Sequence, residues 1–165
     1  MTVAGLPRFR LELPDLAAMQ RLGEAIASAL RVDDVIALSG GLGAGKTTLA
    51  RAIVAALGHS GEVPSPSFAI VEIYDPPAVR LPVVHADFYR LERIEEAAGI
   101  GLDDYREGRV LIAEWPENAG GFAEEAGCLS IGLDFMPETS GTISSSGRIA
   151  IVEGGRDWLG RLPCQ

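Results

Sequence analysis

Residues 35–57, VIALSGGLGAGKTTLARAIVAAL, constrain the fold more than any other stretch of this chain. The run from Val35 to Ser39 is short, apolar and bounded by turn residues, which predicts a buried strand. The segment TTLARAIVAAL predicts a helix that stops before Gly58, a residue suited to a helix C-terminus. Between them, Gly40, Gly45, Lys46 and Thr47 satisfy G-x-x-x-x-G-K-S/T, the phosphate-binding loop pattern. Strand, glycine-rich loop and helix in that order form the context the pattern requires. Glycines let backbone amides turn inward and approach phosphate, and the helix adds the positive end of its dipole. Lys46 is also the single lysine among 14 basic residues; all the others are arginine. A compact ammonium reaches between phosphate oxygens where a wide planar guanidinium does not fit.

The flanking sequence extends this core. Leu11 to Pro14 predicts a short edge strand, and Asp15 an N-cap for a helix to about Leu30. Leu16, Met19, Leu22, Ile26 and Leu30 form one apolar stripe along that helix. Further strands are expected at Phe68 to Tyr74, Leu81 to Ala86, Val110 to Ala113, Cys128 to Leu133 and Arg148 to Val152, with a short helix over Leu91 to Ala98. The expected fold is α/β: a three-layer α/β/α sandwich of the P-loop NTPase type, with a mostly parallel sheet. The hairpin-like stretch from Phe68 to Ala86 adds at least one antiparallel strand. At 165 residues the chain reads as a single domain, with a flexible loop over 134–147 and a C-terminal tail over 154–165.

Composition narrows the function classes. A net charge of −9 argues against the surface as a whole binding a polyanion. Arg80, Arg90, Arg93, Arg106 and Arg109 fall in one central stretch and read either as solvated residues paired with Glu92, Glu95, Glu96 and Glu107 or as a local basic patch. No apolar stretch approaches the roughly 20 residues that span a bilayer, and the N-terminus lacks a signal peptide's apolar core, so a cytoplasmic location is expected. Cys128 and Cys164 suggest neither a metal site nor a disulfide framework.

Lys46 is expected to bridge the terminal phosphates and the Thr47 hydroxyl to ligate Mg²⁺. Asp87 and Glu114 each end an apolar strand, and ligands of an open parallel sheet sit beyond such strand ends. Both acids are therefore candidate metal-site and catalytic residues. His85 shares a strand face with Asp87 and reads either as a tuner of the metal site or as a packed histidine. Trp115 reads as a core anchor or as a neighbour of the nucleotide. The N-K-x-D motif of guanine recognition is absent, which favours ATP.

The blocks GGLGAGKTT, SPSFAIVEIY, HADFYRL and EWPE, in that order, resemble the bacterial TsaE (YjeE) family, ATPases of tRNA threonylcarbamoyladenosine biosynthesis. The resemblance runs from about Leu13 to Asn118. It implies a Mg²⁺-dependent ATPase that supports synthesis of N6-threonylcarbamoyladenosine in tRNAs reading codons that begin with A. The implied partner is the TsaD–TsaB heterodimer, which carries out the transfer, holds the tRNA and is reset by ATP hydrolysis. Matched residue by residue, nucleotide contacts fall on Gly41, Leu42, Gly43, Ala44, Gly45, Lys46, Thr47, Thr48, Ser67 and Trp115. Metal contacts fall on Thr47, Asp87 and Glu114, and catalytic roles on Lys46, Glu114 and Asp87. Ser65, Pro66, Ser67 and Phe68 match the family's switch-like S-P-T-F/Y loop.

Three residues depart from the family pattern. Gly41 stands where an acid is usual, which implies slower hydrolysis or more reliance on Glu114. Ser67 replaces a threonine, and Met19 stands where a threonine is common near the adenine. Two other readings remain: a small-molecule kinase with Tyr89 to Arg109 as its lid, and a nucleotide-dependent scaffold that hydrolyses little.

Overall fold

Apolar runs bounded by turns become the strands of one sheet. They are Arg8–Leu13 (β1), Val35–Ser39 (β2), Val71–Tyr74 (β3), Val83–Asp87 (β4), Val110–Glu114 (β5), Cys128–Phe135 (β6) and Arg148–Gly154 (β7). The computed structural model describes residues 8–63, 71–137 and 147–161. The sheet has seven strands in the order β1-β7-β6-β2-β5-β4-β3. β6, β2, β5 and β4 run parallel to one another. β3 joins β4 antiparallel, as the hairpin reading expected, and β7 lies antiparallel between β6 and β1.

The alternation of side chains along the central strands explains the layers. Ile36 and Leu38 of β2 and Val110 and Ile112 of β5 point to one core, while Val35, Ala37, Leu111 and Ala113 point to the other. Helices Leu16–Ala29 (α1) and Lys46–Ala56 (α2) cover the first face with Met19, Leu22, Ile26, Leu49 and Ile53. Asp15 caps α1 as expected, its Oδ1 accepting from the Ala18 N–H at 2.8 Å. Leu16, assigned to the buried stripe by its spacing, is instead exposed at the first turn of α1.

The second face is covered differently from the expectation. The helix predicted over Leu91 to Ala98 is replaced by two short ones, Glu95–Gly99 (α3) and Leu102–Arg106 (α4). Phe88 and Leu91 are buried in a turn that closes through the Leu91 N–H and the Phe88 carbonyl, at 3.1 Å. That turn delays helix formation, and Gly101, at φ 79°, separates the two helices. Ala97 and Leu102 pack into the sheet core, so the two short helices form the layer over the second face.

The ends of the chain also differ from their reading. β6 continues to Phe135, two residues into the expected loop, and residues 138–146 lie outside the described residues. Past β7, a 3-10 helix at Arg156–Trp158 docks the C-terminal segment. Trp158 is fully buried and its Nε1 donates to the Gly127 carbonyl at 2.8 Å. Arg161 forms a bidentate pair with Asp34, at 2.9 and 3.0 Å, and both side chains are nearly buried. Of the expected arginine pairings, Arg93–Glu96 forms; Arg106 pairs instead with Glu125 and Arg109 with Asp75, because strand pairing brings distant segments closer than chain neighbours.

Candidate functional site

Backbone geometry makes the glycine-rich loop possible. Gly40 sits at φ 138°, and a Cβ there would lie 2.4 Å from the Leu133 carbonyl oxygen of β6. Gly45 caps α2 at φ 108°, where a Cβ would come within 2.9 Å of Met19 Cε. At Gly40 a side chain would collide with backbone as well as strain it, whereas at Gly45 the strained φ is the main cost, because the Met19 tip can shift. Met19 is thus packed against the glycine-rich loop from α1.

Lys46 opens α2 and is only 5% exposed. Its Nζ donates to the carbonyls of Gly40 at 2.7 Å and Gly41 at 2.8 Å, and lies 4.4 Å from the Trp115 ring centre. Burial lowers the lysine pKa, while Glu114, Asp87 and Glu117 oppose that shift. The ammonium is therefore held inside the loop on neutral acceptors, close to three acids.

Glu114 connects the loop to the sheet. Its Oε1 accepts from Thr47 Oγ1 at 2.7 Å, and its Oε2 is 2.6 Å from His85 Nε2. A carboxylate only accepts, so Nε2 carries the proton of that bond. The arrangement follows from register. β4 and β5 pair Asp87 with Glu114 and His85 with Ile112, so His85, Asp87 and Glu114 share the face that α2 covers. His85 is fully buried and its Nδ1 has no hydrogen-bond partner among the described residues. It is the packed histidine of the sequence reading, and its ring also touches Glu114.

Asp87 is half-buried at the same edge, and its Oδ1 accepts from the Tyr89 N–H at 2.9 Å. Burial raises its pKa; the Tyr89 N–H opposes the rise, Glu114 adds to it, and His85 and Lys46 oppose it. Phe88 N–H donates to the Glu114 carbonyl, tying the end of β4 to that of β5.

These groups line a cavity of about 420 Å³ beyond the carboxyl ends of β2, β4 and β5. Of the residues expected from sequence, Leu42, Gly43, Gly45, Lys46, Thr47, Thr48, Asp87, Glu114 and Trp115 reach its wall. Gly41 and Ala44 serve the loop from behind: Gly41 accepts from Lys46 and from the Ala44 N–H at 3.2 Å. A Cβ at Gly41 would meet nothing within 4 Å, so packing does not exclude an acid there. Ser67, with Ser65, Pro66 and Phe68, lies outside the described residues. A larger hollow of about 540 Å³ between α1 and α2 contains neither the loop glycines nor the strand-end acids, so its size does not make it the functional site.

Trp115 meets both of its readings: it packs against the second core and also lines the cavity. It is half-buried at φ 55°, its ring tilted 46° to that of Tyr89 with centres 5.0 Å apart, while Trp158 is fully buried in the first core. Sequence reasoning missed Arg148. It reaches the loop from β7, 105 residues beyond Gly43, so no local pattern announces it. Tyr89 and Arg90 also line the cavity, on the turn after Asp87.

The donor chemistry suits a hard cation beside phosphate. Thr47 and the two strand-end acids offer oxygen only, and Mg²⁺ takes one or two protein oxygens with phosphate and water completing its shell. Among the described residues no group of three or more His, Cys, Asp or Glu side chains forms an all-protein metal cage. Asp87 carries a burial cost that a neighbouring cation would offset.

Comparison with known proteins agrees with this architecture. A family model described as threonylcarbamoyl adenosine biosynthesis protein TsaE matches residues 13–140. The tRNA threonylcarbamoyladenosine biosynthesis protein TsaE of Streptomyces coelicolor is 41% identical over 100 residues, covering 60% of this chain and 68% of that protein. The protein of the same name from Haemophilus influenzae is 35% identical over 132 residues, covering 76% and 82%. The crystal structure of YdiB from Bacillus subtilis shares the fold, with a TM-score of 0.74 at 23% identity over 96% of this chain and 94% of that one. With the family match extending from the end of β1 through the phosphate loop and both acid-bearing strands, this chain belongs to the TsaE family of threonylcarbamoyladenosine biosynthesis proteins.

Proposed function

We propose that this chain binds ATP with Mg²⁺ in the strand-end cavity and hydrolyses it to support tRNA threonylcarbamoyladenosine formation. The observation that carries the reading is the convergence of Lys46, Thr47, Asp87 and Glu114 at the ends of three adjacent parallel strands. The partner in this reading is the TsaD–TsaB transferase in the cytoplasm. The tRNA is engaged through that complex, in keeping with the net charge of −9.

Each residue has work that its position allows. Lys46 exchanges two loop carbonyls for phosphate oxygens, and the acids around it keep the ammonium charged against burial. Thr47 presents its oxygen beside Glu114, and Asp87 offers a second carboxylate on the register partner of Glu114. These three would hold Mg²⁺, which when bound neutralises phosphate charge and polarises the transferring phosphoryl group. Glu114, fixed by Thr47 and His85, is the carboxylate best held to orient a water or take its proton. Trp115 and Tyr89 wall the cavity and restrict bulk water.

The decisive experiment measures phosphate release by the purified chain with and without TsaD–TsaB and tRNA, alongside modified adenosine. Slow hydrolysis alone and faster hydrolysis with the complex are expected. Equal rates under conditions where the complex forms would sink the mechanism. Phosphate appearing on a metabolite would favour a kinase. Modification that survives Asp87→Ala and Glu114→Ala, with hydrolysis abolished and binding intact, would favour a scaffold.

A further inference from the structure

Arg148 opens β7 and is the register partner of Phe135 in β6 and of Leu13 in β1. Its guanidinium lies 4.4 Å from the Phe135 ring centre. From that platform Nη2 donates to the Gly43 carbonyl at 3.0 Å and Nε to the Ala44 carbonyl at 3.1 Å. It also borders both the strand-end cavity and a smaller hollow of about 200 Å³ beside Met19.

Peptide planarity gives these two bonds a consequence inside the loop. A carbonyl and the N–H that follows it point in opposite directions across one rigid plane. Holding the Gly43 and Ala44 carbonyls outward therefore turns the N–H groups of Ala44 and Gly45 inward. The Ala44 N–H is turned within the loop, where it donates to the Gly41 carbonyl at 3.2 Å, a bond that a phosphate oxygen would replace. Inward amides make a nest for anions. A loop rich in glycine has little of its own to keep its peptide planes from flipping. A fork anchored on another strand and stacked on an aromatic ring supplies that constraint. A lysine ammonium is a rotatable point charge without the planar fork, so it would hold the two carbonyls less rigidly.

We infer that Arg148 is a positioning residue for phosphate binding, preorganising the loop amides of Ala44 and Gly45 through their neighbouring carbonyls. The inference rests on the reading that this loop binds ATP phosphates. Ordering cost otherwise borne at binding is removed beforehand, so the effect belongs to nucleotide affinity and not to the chemical step.

The test uses the full chain, with calorimetric Kd for Mg-ATP and for ADP, saturating hydrolysis rate with TsaD–TsaB, and Tm. Arg148→Gln is expected to raise both Kd values about tenfold, the scale of losing charge-assisted hydrogen bonds, with the saturating rate within about threefold of the parent. Arg148→Lys is expected to recover only part of the affinity. Phe135→Leu, which removes the platform and leaves the fork, is expected to weaken both nucleotides in the same direction by less. A merely structural role would lower Tm and the number of competent sites while leaving the Kd of the remaining sites unchanged; that result overturns the inference. So does parent-like affinity in Arg148→Gln, or full recovery by lysine. A parent chain that binds neither nucleotide would refute the functional reading itself, and the inference with it.

Discussion

Glu114→Gln isolates the buried chain from Thr47 through Glu114 to His85. Glutamine keeps the shape, and its oxygen can still accept from Thr47 Oγ1 at the 2.7 Å spacing. Its amide nitrogen then faces His85 Nε2 across 2.6 Å, and two donors cannot share that gap. Either His85 moves its proton to Nδ1, which is buried with no hydrogen-bond partner among the described residues, or the amide turns over and the Thr47 hydroxyl loses its acceptor. Both arrangements exchange a charge-assisted bond for a neutral one and leave one donor without its acceptor. Together these should cost about 2–3 kcal/mol, with an unsatisfied buried donor alone worth roughly 1–3 kcal/mol. For a chain of this size the Tm should fall by roughly 4–12 °C. Urea denaturation, with m unchanged, measures the loss directly. The sharper check is the same substitution in a His85→Leu background. There the donor conflict is gone, and an amide without a partner is less costly to bury than an unpaired carboxylate. Glu114→Gln should then be neutral or stabilising, giving a coupling of about 2 kcal/mol or more. An equal loss in both backgrounds would refute the reasoning, as would a Glu114→Gln chain as stable as the parent.

Asp87 holds its proton to higher pH in the folded chain than when unfolded, because burial raises its pKa. The folded state therefore binds more protons in that window, and the contribution of Asp87 to stability falls as pH rises through it. Asp87→Asn should be more stable than the parent at about pH 7, and the advantage should vanish below the ordinary carboxylate range of about 4; denaturation at several pH values reads this. Lys46 and the N-terminus carry the only primary amines, so mapping an acylating label should find Lys46 protected by ATP and not by adenosine. Lys46→Met should weaken ATP by about 10- to 100-fold in calorimetry, from lost charge-assisted bonds. Because Lys46 lies over Trp115 and the chain has 2 tryptophans, ATP should change the emission of Trp115, and Trp115→Phe should abolish that change. Arg161→Met leaves Asp34 as a nearly buried charge without its partner and should cost roughly 3 kcal/mol by denaturation.

Gly40 to Thr47 were legible in the sequence because a glycine-rich loop is a local object. Its glycines, lysine, hydroxyl and helix N-terminus lie within one continuous segment, so spacing alone brings them together. Asp87 and Glu114 were legible because each ends an apolar run, and a strand's end is where its side chains leave the core. The short helices after β4 were misread. Burial of Phe88 and Leu91 in a turn delays the start of helix, a packing effect that the segment's own sequence does not announce.

By itself the sequence determined the strand–loop–helix core, its lone lysine and the two acids that end apolar strands. The tertiary structure alone decided which strands are neighbours. β5 lies between β2 and β4, in a register that pairs Asp87 with Glu114 and brings Glu114 against Thr47 and His85. β7, reached only after β6, delivers Arg148 to the Gly43 and Ala44 carbonyls. Neither arrangement has a local signature, because hydrogen-bonded strand order joins residues tens of positions apart and leaves no trace in the spacing of either segment.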